Sequence, residues 1–296
     1  MKVAHSDRYS REDIVGRYRL LNHVARSQTC DIWEALHVST NRRHALKLML
    51  PSVSARSEAT RALRHEFTVG STLKHPAVIR MDEFLRDDGV PLIAMEYFAN
   101  PTLKGQIRER HEALLPLAVK IVEQATAGLA HLHDQGWIHR DVKPENYLVS
   151  DTGEVRLIDF SLAQRPPRWW NSLFGGGASA IQGTRTYLSP EQIRKQRLDA
   201  RSDIYSLGCV FFELFAGKPP YAGNSSGELL SKHLKAPIPS LRAARSEVTP
   251  ALSQLVGQMM AKVPDDRPTS MSEVLEQIRG SSVLERRAVP ESGPPE

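Results

Sequence analysis

The chain has 296 residues, 41% of them hydrophobic and 25% charged, which is typical of a folded globular protein and excludes a fibrous or wholly disordered one. No run reaches the roughly 18 apolar residues of a membrane span, so the sequence predicts none. The two cysteines, Cys30 and Cys209, lie far apart, so we expect no disulfide framework, two buried thiols and a cytoplasmic location.

The net charge of +5 is unevenly distributed, since residues 1–80 hold 14 Lys and Arg against 7 Asp and Glu. A basic N-terminal third favours an anionic ligand or partner, although scattered arginines more commonly form a solvated surface. No basic helix and no array of aromatic and basic residues accompanies the charge. A nucleic-acid partner is therefore not expected.

The first third of the chain has the pattern of a small β-rich lobe. Residues 1–17 are polar and are expected to form a loose leader, and short apolar or alternating segments then predict strands from Tyr18 to Tyr97. One helix, predicted for Ser57–Leu73, interrupts these strands. A strand pair over 78–85 and 92–97 is joined by a sequence, Asp87-Asp88-Gly89, that is typical of a turn.

From Leu103 onwards the pattern is helical. Apolar residues at three- and four-residue steps predict one core helix over 117–132 and another over 204–215, and the second is expected to end at Gly217. Residues 280–296 are charged and contain prolines, so they are expected to form a disordered tail. The predicted fold class is α+β, with a small β-rich lobe, a larger helical lobe and a ligand cleft at their junction.

The segment HRDVKPEN, residues 139–146, carries side chains suited to phosphoryl transfer from ATP. Such transfer needs a divalent metal on the phosphates, a cation that holds them and a carboxylate that orients the attacking hydroxyl. Asp141 can accept the hydroxyl proton, Lys143 can reach the transferring phosphate, and Asn146 can bind the metal. Further along, Asp159 ends an apolar strand and offers a carboxylate at a second metal position.

This segment and several others in the same order resemble the protein kinase family, and the resemblance covers residues 18–279. It implies an N-lobe over about 18–96 and a C-lobe over about 97–279. Lys47 resembles the catalytic lysine that grips the α- and β-phosphates, and Glu66 resembles its helix partner. Glu191 and Arg267 resemble the ion pair at the end of the activation segment, and Asp203 resembles the aspartate at the head of the second long helix. The implied ATP contacts are Val24, Ile32, Ala45, Lys47, Met95, Glu96, Phe98 and Leu148.

Lys143 and Thr184 resemble the serine/threonine branch of the family, of bacterial type. The resemblance implies transfer of the γ-phosphoryl group of Mg-ATP, with Mn²⁺ as the alternative metal, to Ser or Thr hydroxyls of a protein substrate. Signalling and autophosphorylation are the expected roles. A small-molecule substrate is not expected, because the activation segment ends in Ser189-Pro190-Glu191.

Three departures from the family pattern leave a second hypothesis open. Ala25, Ser27 and Cys30 stand where the phosphate-covering loop of the family has glycines, which allow close backbone approach. Ser27 could instead donate a hydrogen bond to a phosphate. Gly70 stands where a large apolar residue is usual, so a gap is expected, and Ser161 replaces a glycine. These residues favour the alternative of a pseudokinase with weak or no nucleotide binding.

The activation segment carries Trp169 and Trp170 in a long stretch without predicted structure. This pair is compatible with a docking patch for a partner, or with a local hydrophobic cluster that orders the loop. Thr184 is expected to be a structural contact of Asp141 and Lys143 rather than a regulatory site.

Overall fold

The computed structural model describes residues 9–54, 57–166 and 185–284. These residues form two compact units. The described residues within Met1–Asn100 and Arg156–Ala163 form the first, and those within Pro101–Val155 and Gln164–Glu296 form the second. We call them the β-rich unit and the helical unit.

The β-rich unit is built on an antiparallel sheet with the strand order β1-β2-β3-β4-β6-β5. The strands are β1 (Ile14–Val15), β2 (Tyr18–Arg26), β3 (Cys30–His37), β4 (Arg43–Met49), β5 (Met81–Asp87) and β6 (Val90–Glu96). Alternation places the apolar residues of each strand on one face, where they form a buried cluster. Its members are Val15, Tyr18, Leu20, Trp33, Ala35, Leu46, Leu48, Leu92 and Ala94.

Two helices belong to the same unit, α1 (Pro51–Ser54) and α2 (Ser57–Gly70). In α2, Leu63, Glu66 and Val69 are buried at three-residue steps, so one face of the helix lies against the protein and the other is solvated. Of these three, only Glu66 is charged, and it therefore needs a partner.

The prediction of a loose polar leader over residues 1–17 is wrong for residues 14–15, which form a strand. Ile14 and Val15 pair with Arg19 and Tyr18, and Val15 is fully buried in the sheet core. The helix predicted for 57–73 ends at Gly70, and the later hairpin lies at 81–87 and 90–96 with its turn at Asp88-Gly89 as expected. The lobe boundary predicted at residue 96 is also too simple, because residues 156–163 belong to the β-rich unit.

The helical unit contains the remaining described helices. They are α3 (Leu103–Leu114), α4 (Ala118–Asp134), α5 (Pro190–Ile193), α6 (Arg201–Ala216), α7 (Ser226–Lys235), α8 (Leu241–Ala244), α9 (Pro250–Met259) and α10 (Met271–Gly280). Two short strands follow α4 in the chain, β7 (Tyr147–Val149) and β8 (Val155–Leu157), and the boundary between the units falls within β8. Helix α6 is buried from Ser202 to Phe215, and Gly217 ends it with φ of 73°, as predicted.

The stretch Leu103–Asp134 is long and apolar enough to qualify as a membrane span on length and composition, with a mean hydropathy of 1.3. This is weak support for a span, because 56% of the window is buried inside the protein, as in an ordinary core helix. The stretch is also not one continuous helix, since Arg110 has non-helical backbone angles.

The tail predicted to be disordered from residue 280 is ordered at first. Val283 is buried, Leu284 forms a β-bridge with Val248, and the Thr249 hydroxyl donates to the carbonyl of Ser282. Residues 285–296 lie outside the described part of the chain. The predicted buried state of Cys30 and Cys209 is confirmed, and both are free thiols.

Candidate active site

Lys47 and Glu66 form a buried ion pair in the β-rich unit. Strand β4 supplies Lys47 and helix α2 supplies Glu66, and the Lys47 Nζ lies 2.7 Å from each carboxylate oxygen. The Glu66 side chain is only 4% exposed and that of Lys47 18%. The pairing that the sequence implied is therefore present, in the bidentate form.

The charges around Lys47 determine its protonation. Burial lowers the pKa of Lys47, but the negative charges of Glu66 and Asp159 outweigh burial and raise this pKa well above its ordinary value. Burial also raises the pKa of Glu66, although Lys47 lowers it. Because the ammonium contacts both carboxylate oxygens, we assign the proton to Lys47 and a negative charge to Glu66.

Asp159 lies in the segment that the fold adds to the β-rich unit. Leu157 secures this segment by exchanging backbone hydrogen bonds of 2.8 and 3.0 Å with Ala77 and Ile79. Asp159 itself takes a positive φ of 64°, and the Ser161 hydroxyl donates to its Oδ1 at 2.7 Å. Ser161 therefore replaces a glycine without adopting positive φ, and it gives the predicted metal ligand a local hydrogen bond.

Three of the predicted ATP contacts, Ala45, Met95 and Glu96, lie on neighbouring strands of the sheet. Ala45 of β4 faces Met95 of β6 in the strand register. The next residue, Glu96, uses its side chain in an ion pair with Arg156 at 2.9 Å, and the Arg156 guanidinium lies 4.7 Å from the centre of the Phe98 ring. The Glu96 backbone N–H is engaged within the protein as well, because it donates to the Arg80 carbonyl at 2.8 Å.

Three other predicted ATP contacts lie on strands β2, β3 and β7. Ile32 of β3 pairs with Lys47 of β4 and with Ala25 of β2, whereas Val24 is 53% exposed beside a register shift of β2. Leu148 belongs to strand β7 of the helical unit, where its neighbour Thr102 forms a β-bridge with it.

The gap predicted beside Gly70 is absent, because Met81 of β5 fills it. A Cβ atom at Gly70 would clash with the Met81 sulfur and would come within 2.9 Å of the Met81 methyl carbon and 3.0 Å of a ring carbon of Phe160. Gly70 of α2 has no side chain, and the flexible side chain of Met81 in β5 fills the space beside it. The sequence signal was available in the identity of Met81, but only the fold shows that the two positions meet.

Substituting Gly70 with leucine should therefore destabilise the protein by about 1–3 kcal/mol through overpacking, despite the better helix propensity. Adding Met81→Ala to this variant should recover most of the loss, because the new side chain then occupies the vacated volume. Denaturant unfolding of the two variants measures the effect.

Gly257→Leu in α9 is the matched control, since nothing lies within 4 Å of a Cβ at that helical glycine. It should leave stability unchanged or improved. Equal destabilisation by the Gly70 and Gly257 substitutions would contradict steric filling by Met81.

In the helical unit, the residues of the HRDVKPEN segment form one hydrogen-bonded cluster. Lys143 Nζ lies 2.6 Å from Oδ2 of Asp141. The Asn146 amide nitrogen donates to the Asp141 carbonyl at 2.8 Å and to its Oδ2 at 3.2 Å. Because the nitrogen of Asn146 faces Asp141, its amide oxygen is the atom left for a cation, and hard oxygen donors are what Mg²⁺ prefers.

Asp203, in the first turn of α6, forms hydrogen bonds with the backbone of this cluster. Its carboxylate accepts the backbone N–H groups of His139 at 2.7 Å and Arg140 at 2.8 Å, and also the His133 Nε2 at 2.8 Å. Burial raises the pKa of this carboxyl, but the His133 hydrogen bond, the nearby histidines and the Arg140 amide outweigh burial and lower it. A charged Asp203 thereby stabilises Arg140 at its positive φ of 68°.

Glu191 and Arg267 form the predicted ion pair, buried and bidentate, with contacts of 2.7 and 2.9 Å. Arg267 also donates to the carbonyls of Arg201 and Ala261, at 2.7 and 2.8 Å. Next to Glu191, the Gln192 side chain completes a capping box on α5 and donates to the Arg140 carbonyl at 2.8 Å. The end of the activation segment is thus bonded directly to the catalytic segment.

Sequence reasoning missed a second buried network around Tyr187. Its hydroxyl donates to Glu213 of α6 at 2.6 Å, and Lys104 of α3 donates to Glu213 at 2.6 Å and to the Tyr187 oxygen at 3.1 Å. A glutamate within the apolar run of α6 was a usable signal, because a buried carboxylate requires partners. The Trp169-Trp170 loop, Gly183 and Thr184 lie outside the described residues.

The chain is similar to known proteins in both sequence and fold. Residues 18–278 match the family model described as a protein kinase domain. The chain is 33% identical to the serine/threonine-protein kinase PknB of Mycolicibacterium smegmatis, covering 91% of this chain and 42% of that protein. It is 32% identical to PknL of Mycobacterium tuberculosis, covering 93% and 68%. The kinase domain of Mycobacterium tuberculosis PknI has the same fold, with a TM-score of 0.68 at 24% identity over 92% of this chain and 98% of that one.

The chain belongs to the protein kinase domain family. Within it, the relatives define a serine/threonine protein kinase domain of bacterial type, with the predicted α+β fold of a β-rich and a helical part. The chain spans 35% of the length of the relative pknA2 of Bifidobacterium longum, 42% of PknB and 39% of PrkC of Bacillus subtilis. It therefore corresponds to one part of such proteins.

Proposed function

We propose that this protein transfers the γ-phosphoryl group of Mg-ATP to Ser and Thr hydroxyls of protein substrates, including its own. The observation that carries the proposal is the cluster of Asp141, Lys143 and Asn146, assembled on the buried carboxylate of Asp203. The Lys47–Glu66 ion pair supports it independently from the other unit.

The chain's own residues have separate tasks in this proposal. Lys47, oriented by Glu66, binds the α- and β-phosphates. Within the described residues, the bonds of Lys143 and Asn146 to the Asp141 carboxylate fall on Oδ2, so Oδ1 would receive the proton of the substrate hydroxyl. Lys143 also neutralises charge on the transferring phosphate.

Asp159 and Asn146 would each provide an oxygen ligand for a divalent metal, which when bound neutralises phosphate charge. Their carboxylate and amide oxygens suit Mg²⁺, and Mn²⁺ accepts the same donors. The proposal includes a role in signalling. It also includes a cytoplasmic location, because ATP is available in the cytoplasm and two free cysteines suit a reducing compartment.

The departures that favoured a pseudokinase have structural explanations. Met81 fills the space beside Gly70, and Ser161 bonds to Asp159 without removing its carboxylate. None of the residues 26–31 has a positive φ, so this turn does not need the left-handed backbone conformation that favours glycine.

Incubation with Mg²⁺ and ATP labelled on the γ-phosphate, alone and with a generic basic protein, tests the proposal. We expect label on Ser and Thr in the wild type and a loss of at least about 10³-fold in Asp141→Asn, which keeps the side-chain shape but removes the base. Absence of label above that variant would refute phosphoryl transfer. Label found mainly on tyrosine would refute the Ser/Thr assignment.

A further inference from the structure

The turn between β2 and β3, residues 26–31, occupies the place of the phosphate-covering loop and contains several internal hydrogen bonds. Arg26 and Asp31 face each other in the strand register, and the Ser27 N–H donates to the Cys30 carbonyl at 2.8 Å. The hairpin therefore closes without glycine. Side chains of the turn supply further hydrogen bonds to this conformation.

Ser27 closes the turn through its hydroxyl group. The Oγ accepts the backbone N–H groups of Cys30 at 3.0 Å and Thr29 at 3.3 Å, and it donates to the Cys30 carbonyl at 3.0 Å. These two amides are thus satisfied within the turn. The hypothesis that Ser27 donates to a phosphate is replaced by a role inside the protein.

Arg26 and Asp31 form a bidentate ion pair across the base of the turn. Arg26 Nε lies 2.6 Å from Oδ1 of Asp31, and Nη2 lies 2.7 Å from Oδ2. The Asp31 residue is only 8% exposed, and His23 Nε2 lies 2.9 Å from the same Oδ1. Burial raises the pKa of Asp31, but Arg26 and His23 outweigh it and lower the pKa, so the carboxylate is charged at neutral pH.

The same turn is attached to the strand that carries Lys47. Asp31 pairs with Leu48, and Ile32 pairs with Lys47 itself. In addition, the Leu50 N–H donates to the Thr29 carbonyl at 2.8 Å. The position of the turn is therefore fixed relative to the amine that is proposed to bind phosphates.

We propose that Arg26, Ser27 and Asp31 are positioning residues, which hold the 26–31 turn in one conformation before nucleotide binds. This inference rests on the proposed function. A flexible glycine-rich loop loses conformational entropy when it becomes ordered on a bound nucleotide. Here the side-chain bonds order the turn before binding, so less conformational entropy is lost when nucleotide binds. Because the N–H groups of Ser27, Thr29 and Cys30 are bonded within the turn, its effect on nucleotide affinity comes through the position of strand β3 against Lys47 of β4. The chemical step depends on residues elsewhere.

The test uses the full chain and three measurements on Arg26→Ala, Asp31→Ala and the double variant. Hydrogen exchange without nucleotide should show faster exchange at residues 27–31 in every variant. The Kd for a non-hydrolysable Mg-ATP analogue and the KM for ATP should rise about three- to tenfold, with kcat changed less than twofold. The double variant should bind nucleotide no more weakly than the single variant with the larger loss, because the same Arg26–Asp31 ion pair is lost in all three.

Arg19→Ala is the matched control on the same strand. Its only ion pair in the described residues is with Glu12 at 3.9 Å, both side chains being exposed, so all three measurements should match the wild type. Arg26→Lys should fall between the wild type and Arg26→Ala, since an ammonium keeps the charge but loses the bidentate geometry.

Unchanged exchange at 27–31 in the alanine variants would overturn the proposal, and so would faster exchange with unchanged nucleotide affinity. Additive losses in the double variant would overturn the pairing of Arg26 with Asp31. A wild type that binds the analogue but transfers no label refutes the proposed function alone, because the exchange and Kd measurements still report on the turn.

Discussion

Lys47→Met is expected to lower kcat/KM for phosphoryl transfer by about 10²–10³-fold while the protein stays folded. The substitution removes an ammonium that lies 2.7 Å from both oxygens of Glu66 and leaves a side chain of similar length. Catalysis of phosphoryl transfer consists mainly of positioning and charge stabilisation, so the loss falls on the transition state. Because burial already raises the pKa of Glu66, the abandoned carboxyl can take a proton instead of remaining as an isolated charge.

Transfer rates and thermal unfolding, measured on the same preparations, separate catalysis from stability. Lys235→Met is the control, since Lys235 is an exposed lysine at the end of α7 and should tolerate the change. Glu66→Gln should cost less than Lys47→Met, because the ammonium remains but loses its charged partner. If Lys47→Met keeps more than a tenth of the wild-type kcat/KM, another cation holds the phosphates.

Much of the candidate site was predictable because its residues are set by short motifs. Asp141, Lys143 and Asn146 lie within six residues of one another, so their spacing alone brings them together once the backbone is held. Lys47 and Glu66 are separated by 19 residues, yet a strand and the following helix bring them into contact. In both cases the chemistry demands particular side chains, and the sequence shows them directly.

What the sequence did not predict depends on contacts between distant segments. Ile14–Val15 is too short for any periodicity, and its strand exists only because β2 offers a free edge. The contact of Gly70 with Met81 and the backbone bonds of Leu157 to Ala77 and Ile79 follow from tertiary packing. The Arg26–Asp31 pair depends on the hairpin register that places the two residues opposite each other, and spacing along the sequence does not specify that register.

Arg267→Ala is expected to destabilise the protein by about 3–5 kcal/mol, the usual cost of leaving one partner of a buried ion pair alone. The Arg267 side chain is fully buried, and its removal leaves Glu191 and the carbonyls of Arg201 and Ala261 without their donor. For a chain of this size the loss corresponds to a Tm lower by roughly 6–20 °C. Because Gln192, beside Glu191, is bonded to the Arg140 carbonyl, activity at a permissive temperature should fall as well.

Arg279→Ala provides the matched control. Its ion pair with Glu123 has the same 2.7 Å distance but is largely exposed, so the expected cost is below about 1 kcal/mol. Equal Tm losses in the two variants would show that burial is not what makes the Arg267 pair strong. The double variant Arg267→Met/Glu191→Leu should regain part of the stability lost in Arg267→Ala, because an apolar pair leaves no buried charge unpaired. If the double variant regains no stability, the main loss in Arg267→Ala comes from the unpaired backbone carbonyls of Arg201 and Ala261 rather than from the unpaired charge of Glu191.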